Sequence, residues 1–162
     1  MTYTNPIAVS KNGGWRYNYG NMFYVLLVSQ YLTVAQFDNE TVQAIMDEAL
    51  KYEGWTYVYG GDSPSTSFDC SGYVSWVINH SGWNVGRLGA QGLCNICTPV
   101  TGAQARPGDL IFFKGTYDTP GVSHVGIYVG NGMMIHCGNP ISYANVNTTY
   151  WKNHFYAYGR LP

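Results

Sequence analysis

The run Ser123-His124-Val125-Gly126-Ile127-Tyr128-Val129-Gly130-Asn131-Gly132-Met133-Met134-Ile135-His136-Cys137 decides how the rest of the chain is read. Val125, Ile127 and Val129 alternate with His124, Gly126 and Tyr128, the period of a strand, and Gly130-Asn131-Gly132 is a strong hairpin signal. Leu110-Ile111-Phe112-Phe113 precedes this hairpin, and Ile141 to Val146 and Phe155 to Arg160 follow it. An antiparallel sheet is therefore expected over the second half. Upstream the period becomes helical. Asp38-Asn39 are good N-cap residues, Glu40 suits the first turn, and Val42, Ile45, Met46, Ala49 and Leu50 recur at three- and four-residue steps up to a stop at Gly54. A second helix is expected from about Cys70 to His80, ended by Gly82, and residues 82–106 read as irregular with room for one short helix. Helices followed by strands predict an α+β domain, with N-terminal helices packed on a central antiparallel sheet.

The register of the hairpin decides whether two histidines meet. A two-residue turn at Asn131-Gly132 pairs Ile127 with His136 and sends His124 and His136 to opposite faces. An odd-numbered connection, or a bulge, sets Gly126 opposite His136 and makes the imidazoles diagonal neighbours. Gly126 is expected to leave open space beside His124.

Phe68-Asp69-Cys70-Ser71-Gly72 places a thiol where a loop becomes a helix. The partial positive charge and unpaired N–H groups there favour a thiolate, so a depressed Cys70 pKa is expected, and the same N–H groups suit an oxyanion hole. Tyr73, Val74, Val77 and Ile78 share the helix face of Cys70, which turns the sulfur toward the sheet. The plainer reading is a buried, inert cysteine. A cysteine nucleophile needs a base and a group to orient it, for which His124 and His136 are the candidates. His80, at a helix C-terminus, and His154, in a polar loop beside Lys152, read as structural or solvent-facing.

Composition narrows the partners. Nine acids against eight Lys and Arg leave a net charge of −1, so there is no basic field to hold nucleic acid or anionic lipid. Charged residues are only 10% while aromatics reach 16%, a surface suited to sugars or peptides. Cys94 and Cys97 form a lone C-x-x-C without the second pair of a zinc ribbon; a structural role is the first reading, a disulfide or metal pair the second. No metal or other cofactor is expected. Met22 to Leu32 is too short to span a bilayer and lacks a cleavage site, so no membrane insertion by this chain is expected and any export signal would lie outside it. Residues 1–36 read as an N-terminal extension or the end of a preceding module of a longer protein, with Phe23, Leu26, Leu27 and Tyr31 at helical spacing; residues 37–162 read as the main domain.

Taken in order, Tyr57-Val58-Tyr59-Gly60-Gly61, Asp69-Cys70-Ser71-Gly72, Pro107-Gly108-Asp109-Leu110, Ser123-His124-Val125-Gly126-Ile127-Tyr128 and Met134-Ile135-His136 resemble the NlpC/P60 peptidases over roughly residues 40–161. The resemblance implies a papain-like α+β fold with Cys70 as nucleophile, His124 as base and His136 as the orienting residue. It also implies Tyr57 beside the nucleophile, and Asp69 and Ser71 in recognition of the substrate's peptide terminus. The implied substrate is a peptidoglycan stem peptide, cut between D-γ-glutamate and a diamino acid by a secreted or wall-associated bacterial enzyme. The competing expectations are an amidase or acyltransferase with the same triad, a wall-binding module with a dead site, and, more remotely, a metal-dependent hydrolase built on Cys94 and Cys97.

Overall fold

The structure is a computed structural model that describes residues 40–162 throughout and, before them, only the backbone of β1 (Ile7–Lys11), β2 (Gly14–Tyr19), β3 (Met22–Leu26) and β4 (Ala35–Gln36). These strands form an antiparallel sheet in sequence order. The helical spacing read at Phe23 and Leu26 is thus corrected: both lie in β3, paired to β2 with Trp15 opposite Leu26 and Asn18 opposite Phe23. A short apolar run fits either period, and here paired aromatic strands win. Leu27, Tyr31 and the expected cap Asp38-Asn39 lie outside the described residues.

The α+β reading holds from α1 (Glu40–Leu50) onward. Ile45, Met46, Ala49 and Leu50 are buried as their spacing requires, and Gly54 takes a φ of 88°. A small hairpin, β5 (Asp62–Ser63) and β6 (Ser67–Phe68), leads into α2 (Cys70–Asn79), which is capped by His80 and followed by Gly82 at a φ of 114°. Trp76 Nε1 donates to Glu48 Oε1 at 3.0 Å and Tyr73 Oη to the Ala49 carbonyl at 2.8 Å, which ties α2 to α1. The irregular stretch contains α3 (Ala90–Ile96) and β7 (Thr98–Val100). Then come β8 (Leu110–Lys114), β9 (Val122–Gly130), β10 (Met133–Cys137), β11 (Ile141–Asn145), α4 (Thr149–His154) and β12 (Phe155–Arg160). The sheet runs β11-β10-β9-β8-β12-β7, each neighbouring pair antiparallel.

Alternation divides the sheet between two faces. Leu110, Phe112, Val125, Ile127, Val129 and Ile135 join the core built with α1, α2 and α3. Ile111, Phe113 and Met134 look the other way and pack with Val146 and Trp151. The Pro107-Gly108-Asp109 box has a structural use: Asp109, 3% exposed, accepts the fork of Arg160 at 2.8 Å through both oxygens and so fastens the start of β8 to the end of β12. His154, expected in a loop, is instead the last residue of α4, with Nδ1 2.7 Å from the Tyr150 carbonyl oxygen. Six residues are too few to carry a helical period, so α4 was invisible to pattern reading.

Candidate active site

The hairpin solves its register with a bulge. Met133 pairs with Gly130 across Asn131 and Gly132, but Met134 pairs with Tyr128 and Ile135 with Ile127, which leaves Val129 as the extra residue. Continued by one position, this register sets His136 opposite Gly126, and both histidines fall on the face of Phe113 and Met134. His124 Nε2 lies 2.8 Å from His136 Nδ1. The space beside Gly126 is filled rather than open: a Cβ there would stand 2.8 Å from Met134 Sδ and 3.2 Å from His136 Cβ. Gly126 is the condition for the two strands bringing their imidazoles this close. Gly138 serves the same pair, since a Cβ there would lie 2.9 Å from His136 Cε1.

Cys70 starts α2, as its setting predicts. Asp69 is the N-cap and its Oδ1 accepts the Gly72 N–H at 2.7 Å. Gly72 must lack a side chain because a Cβ would run into the carbonyl of Gly61. Tyr73, Val74, Val77 and Ile78 are wholly buried and Cys70 is 6% exposed, so the sulfur does turn to the sheet. Sγ lies 3.9 Å from the Ser123 carbonyl oxygen, and the peptide N–H groups of Val125 and Ser71 favour its charged form. The ladder between β9 and β10 stops at Ile127–Ile135. The sulfur therefore flanks the peptide of His124 where the β10 ladder leaves β9 uncovered.

The expectation of a depressed thiol pKa is overturned. Burial pushes Cys70 up to about 11, the Asp69 carboxylate adds to the rise, and the N–H groups of Val125 and Ser71 with Arg87 only partly oppose it. Burial pushes His124 down to about 3, helped by His136, and His136 down to about 4. The helix terminus does favour the thiolate, but losing water costs more. Burial thus favours the neutral forms of the thiol and of both imidazoles.

The flanking residues fall into place around this centre. Tyr57 is half-buried, its phenol raised by burial first and by the charges of Cys70 and Asp69 next. Asp69, 9% exposed, is fully engaged: Oδ1 also accepts from Ser71 Oγ at 3.1 Å and Arg87 at 2.9 Å, while Oδ2 accepts from Gly60 N–H at 3.1 Å and Arg87 at 2.8 Å. Arg87 also donates to Ser71 Oγ at 2.9 Å. Sequence reasoning missed Arg87, which sits in the irregular stretch where no period points. It also missed Trp151, which stacks on His124 with ring centroids 5.3 Å apart. His80 and His154 stand apart, each bonded to a backbone carbonyl of its own helix. Cys94 and Cys97 are unbonded thiols near the C-terminal end of α3, packed against the main core. Among the described residues no group of three His, Cys, Asp or Glu side chains is placed to hold a metal ion, and no helix is long and apolar enough to cross a membrane.

The sequence model described as NlpC/P60 family matches residues 54–160, which include every residue of this constellation. The chain belongs to the NlpC/P60 family. A second model, described as Lysozyme-like, matches residues 1–32. The chain is 38% identical over 156 residues to the bifunctional muramidase/DL-endopeptidase CwlT of Bacillus subtilis, covering 91% of this chain and 47% of that protein. It is 43% identical over 119 residues to the probable endopeptidase p60 of Listeria monocytogenes, covering 72% of this chain and 23% of that protein. A crystal structure of a lipoprotein-like NLP/P60 family protein from Staphylococcus aureus superposes with a TM-score of 0.74 at 46% identity, covering 99% of this chain and 56% of that one. The chain thus spans less than half the length of these two curated relatives.

Proposed function

We propose that this NlpC/P60 chain is a bacterial cell-wall hydrolase, a cysteine endopeptidase that cuts the D-γ-glutamyl–diamino acid bond of peptidoglycan stem peptides. The observation that supports it most is the 2.8 Å His124–His136 pair on strands whose β9 member also meets the buried sulfur at the tip of α2, through the Ser123 carbonyl next to His124. The relatives named as endopeptidases support the substrate class.

Of the two proton arrangements that the 2.8 Å contact allows, the reaction uses one. With His136 Nδ1 accepting from His124 Nε2–H, the other nitrogen of His124, Nδ1, keeps its lone pair for the thiol proton. Cys70 then attacks the γ-glutamyl carbonyl as His124 takes its proton, and the sulfur–carbon bond forms on a neutral pair becoming an ion pair. His136 stabilises the imidazolium through the bond already in place. Asp69 takes the Gly72 N–H and Tyr73 N–H bonds the Asp69 carbonyl, so the N–H of Cys70 is the donor proposed for the developing oxyanion. The imidazolium gives its proton to the departing amine, and water, deprotonated by His124, hydrolyses the thioester. Tyr57, Asp69 and Ser71 border the acyl side; Asp69 presents an ion pair with Arg87 there rather than a bare carboxylate. Residues 1–36 are the end of a preceding lysozyme-like module, residues 37–162 are the peptidase domain, and the protein acts outside the membrane, at the wall.

The test is digestion of purified peptidoglycan by the wild-type chain beside Cys70→Ala, read by mass spectrometry. New N-terminal diamino acids from the wild type alone are the expected result. Release of the stem peptide from muramic acid points instead to an amidase, and equal product from both proteins removes Cys70 from the reaction.

A further inference from the structure

Trp151 touches both histidines, and nothing in the reaction above uses it. Its ring stacks on His124 at 5.3 Å and 28°, and meets His136 edge-on at 5.2 Å and 89°. Phe113 backs it from β8 at 4.5 Å. The helix that carries it is short, but Thr148 caps it by accepting the Trp151 N–H itself at 3.4 Å. The neighbours on α4 do not share the position: Tyr150 is 49% exposed and Lys152 faces solvent.

We propose that Trp151 is a positioning residue for the proposed reaction, an indole plate that fixes the plane of His124 and keeps water from the His124–His136 hydrogen bond. Two constraints define an imidazole's orientation: a bond at one nitrogen and a surface against its face. His136 supplies the first and Trp151 the second. One ring lies over one imidazole and edge-on to the other, so it closes the angle between the two, where water would otherwise bond Nε2 or Nδ1. A buried polar pair gains strength from that exclusion. Among the described residues, His124 meets the rings of His136 from β10, Phe113 from β8 and Trp151 from α4, of which the last two cannot titrate, while Cys70 from α2 approaches the strand at the neighbouring Ser123 carbonyl. Removing the indole therefore changes hydration rather than charge. Water at the pair permits protonation nearer the ordinary 6.5 and frees the ring to turn out of line with the sulfur.

The proposal rests on the peptidase reading for its effect on turnover, yet its physical core is testable without turnover. In a Cys70→Ala background, the imidazole titrations of His124 and His136 are followed by NMR with Trp151 present, or replaced by Ala or Phe. The expected result is a rise of at least one pH unit for His124 in Trp151→Ala and near-native titration in Trp151→Phe. In the active chain, Trp151→Ala is expected to lower kcat on a γ-D-glutamyl-diamino acid peptide at least tenfold with KM within about twofold. The acid limb of its pH profile is expected to move up, and Trp151→Phe to restore most of the loss. Trp151→Leu, which keeps bulk against Phe113 without a ring, is held to the same criteria if the alanine variant unfolds. Unchanged histidine titration in a folded variant without the ring overturns the proposal. If Cys70→Ala leaves turnover intact, the peptidase reading falls while the titration still decides the role of Trp151.

Discussion

Acidification should destabilise this domain before its carboxylates are protonated. Free imidazoles bind protons near 6.5, whereas burial holds His124 at about 3 and His136 at about 4 in the fold. At every pH between, the unfolded chain carries more protons, so stability falls as the pH falls from 6.5. At pH 5 each histidine costs roughly 2 kcal/mol, from 1.5 pH units at about 1.4 kcal/mol each, and the pair roughly 4 kcal/mol. The figure needs only that both folded values lie well below 5. It is a large part of the roughly 5–15 kcal/mol that holds a typical domain together. Urea melts at pH 7.5 and pH 5.0 measure it, above the range in which ordinary carboxylates titrate. His136→Asn should cut the slope of stability against pH between 6 and 5 by about half, since one of the two buried proton acceptors is gone. Equal stability at the two pH values, or greater stability at pH 5, would refute the argument that these rings are held neutral by burial.

The same burial predicts slow alkylation of Cys70 by iodoacetamide at pH 7, with a rate that climbs steadily with pH toward the raised value near 11. A flat, fast plateau from pH 5 to 8 would instead reveal a resting thiolate–imidazolium pair. Gly126→Ala should cost about 1–2 kcal/mol in a urea melt, because its methyl meets Met134 Sδ and His136 Cβ, and should lose more activity than stability by prising the histidines apart. Arg87→Ala strips the partner from the nearly buried Asp69 and should cost on the order of 2 kcal/mol, discounted for the third of Arg87 that is exposed. Arg87→Lys should rescue little, since a single ammonium nitrogen cannot hold both Asp69 oxygens, as Nη2 does, and also Ser71 Oγ and the Leu88 carbonyl, as Nη1 does; full thermal stability in the lysine variant would count against the geometry.

Most of the fold was legible because each long element has one unambiguous period. α1 shows its buried stripe at Ile45, Met46, Ala49 and Leu50, and β9 its alternation from His124 to Val129. The pair His124 and His136 was legible as a condition rather than a fact: the hairpin had to carry a shift, and Val129 supplies it. What escaped has a common cause. Arg87, Gly138 and Trp151 act through contacts made by irregular or very short segments, where neither period nor propensity says which way a side chain points. The thiol pKa was misjudged for another reason. The helix terminus that favours the thiolate is written in the local sequence, while the burial that opposes it arises only when α2 closes on β9.

These two effects together explain why the site sits where β9 and β10 part. A thiol on the helix-covered face of a sheet and an imidazole on the opposite face are separated by the sheet itself. The bulge at Val129 swings His136 onto the face of His124. The ladder's early end at Ile127–Ile135 leaves the peptide of His124 open to the sulfur from the other side. Gly126 and Gly138 then let the imidazoles close up, and the enclosure favours their neutral forms, which in the proposed reaction persist until a carbonyl arrives to share the charge. A separation of charge that is costly at rest becomes worthwhile only when a bond to substrate forms, so the burial that raises Cys70 also restrains it from reacting elsewhere.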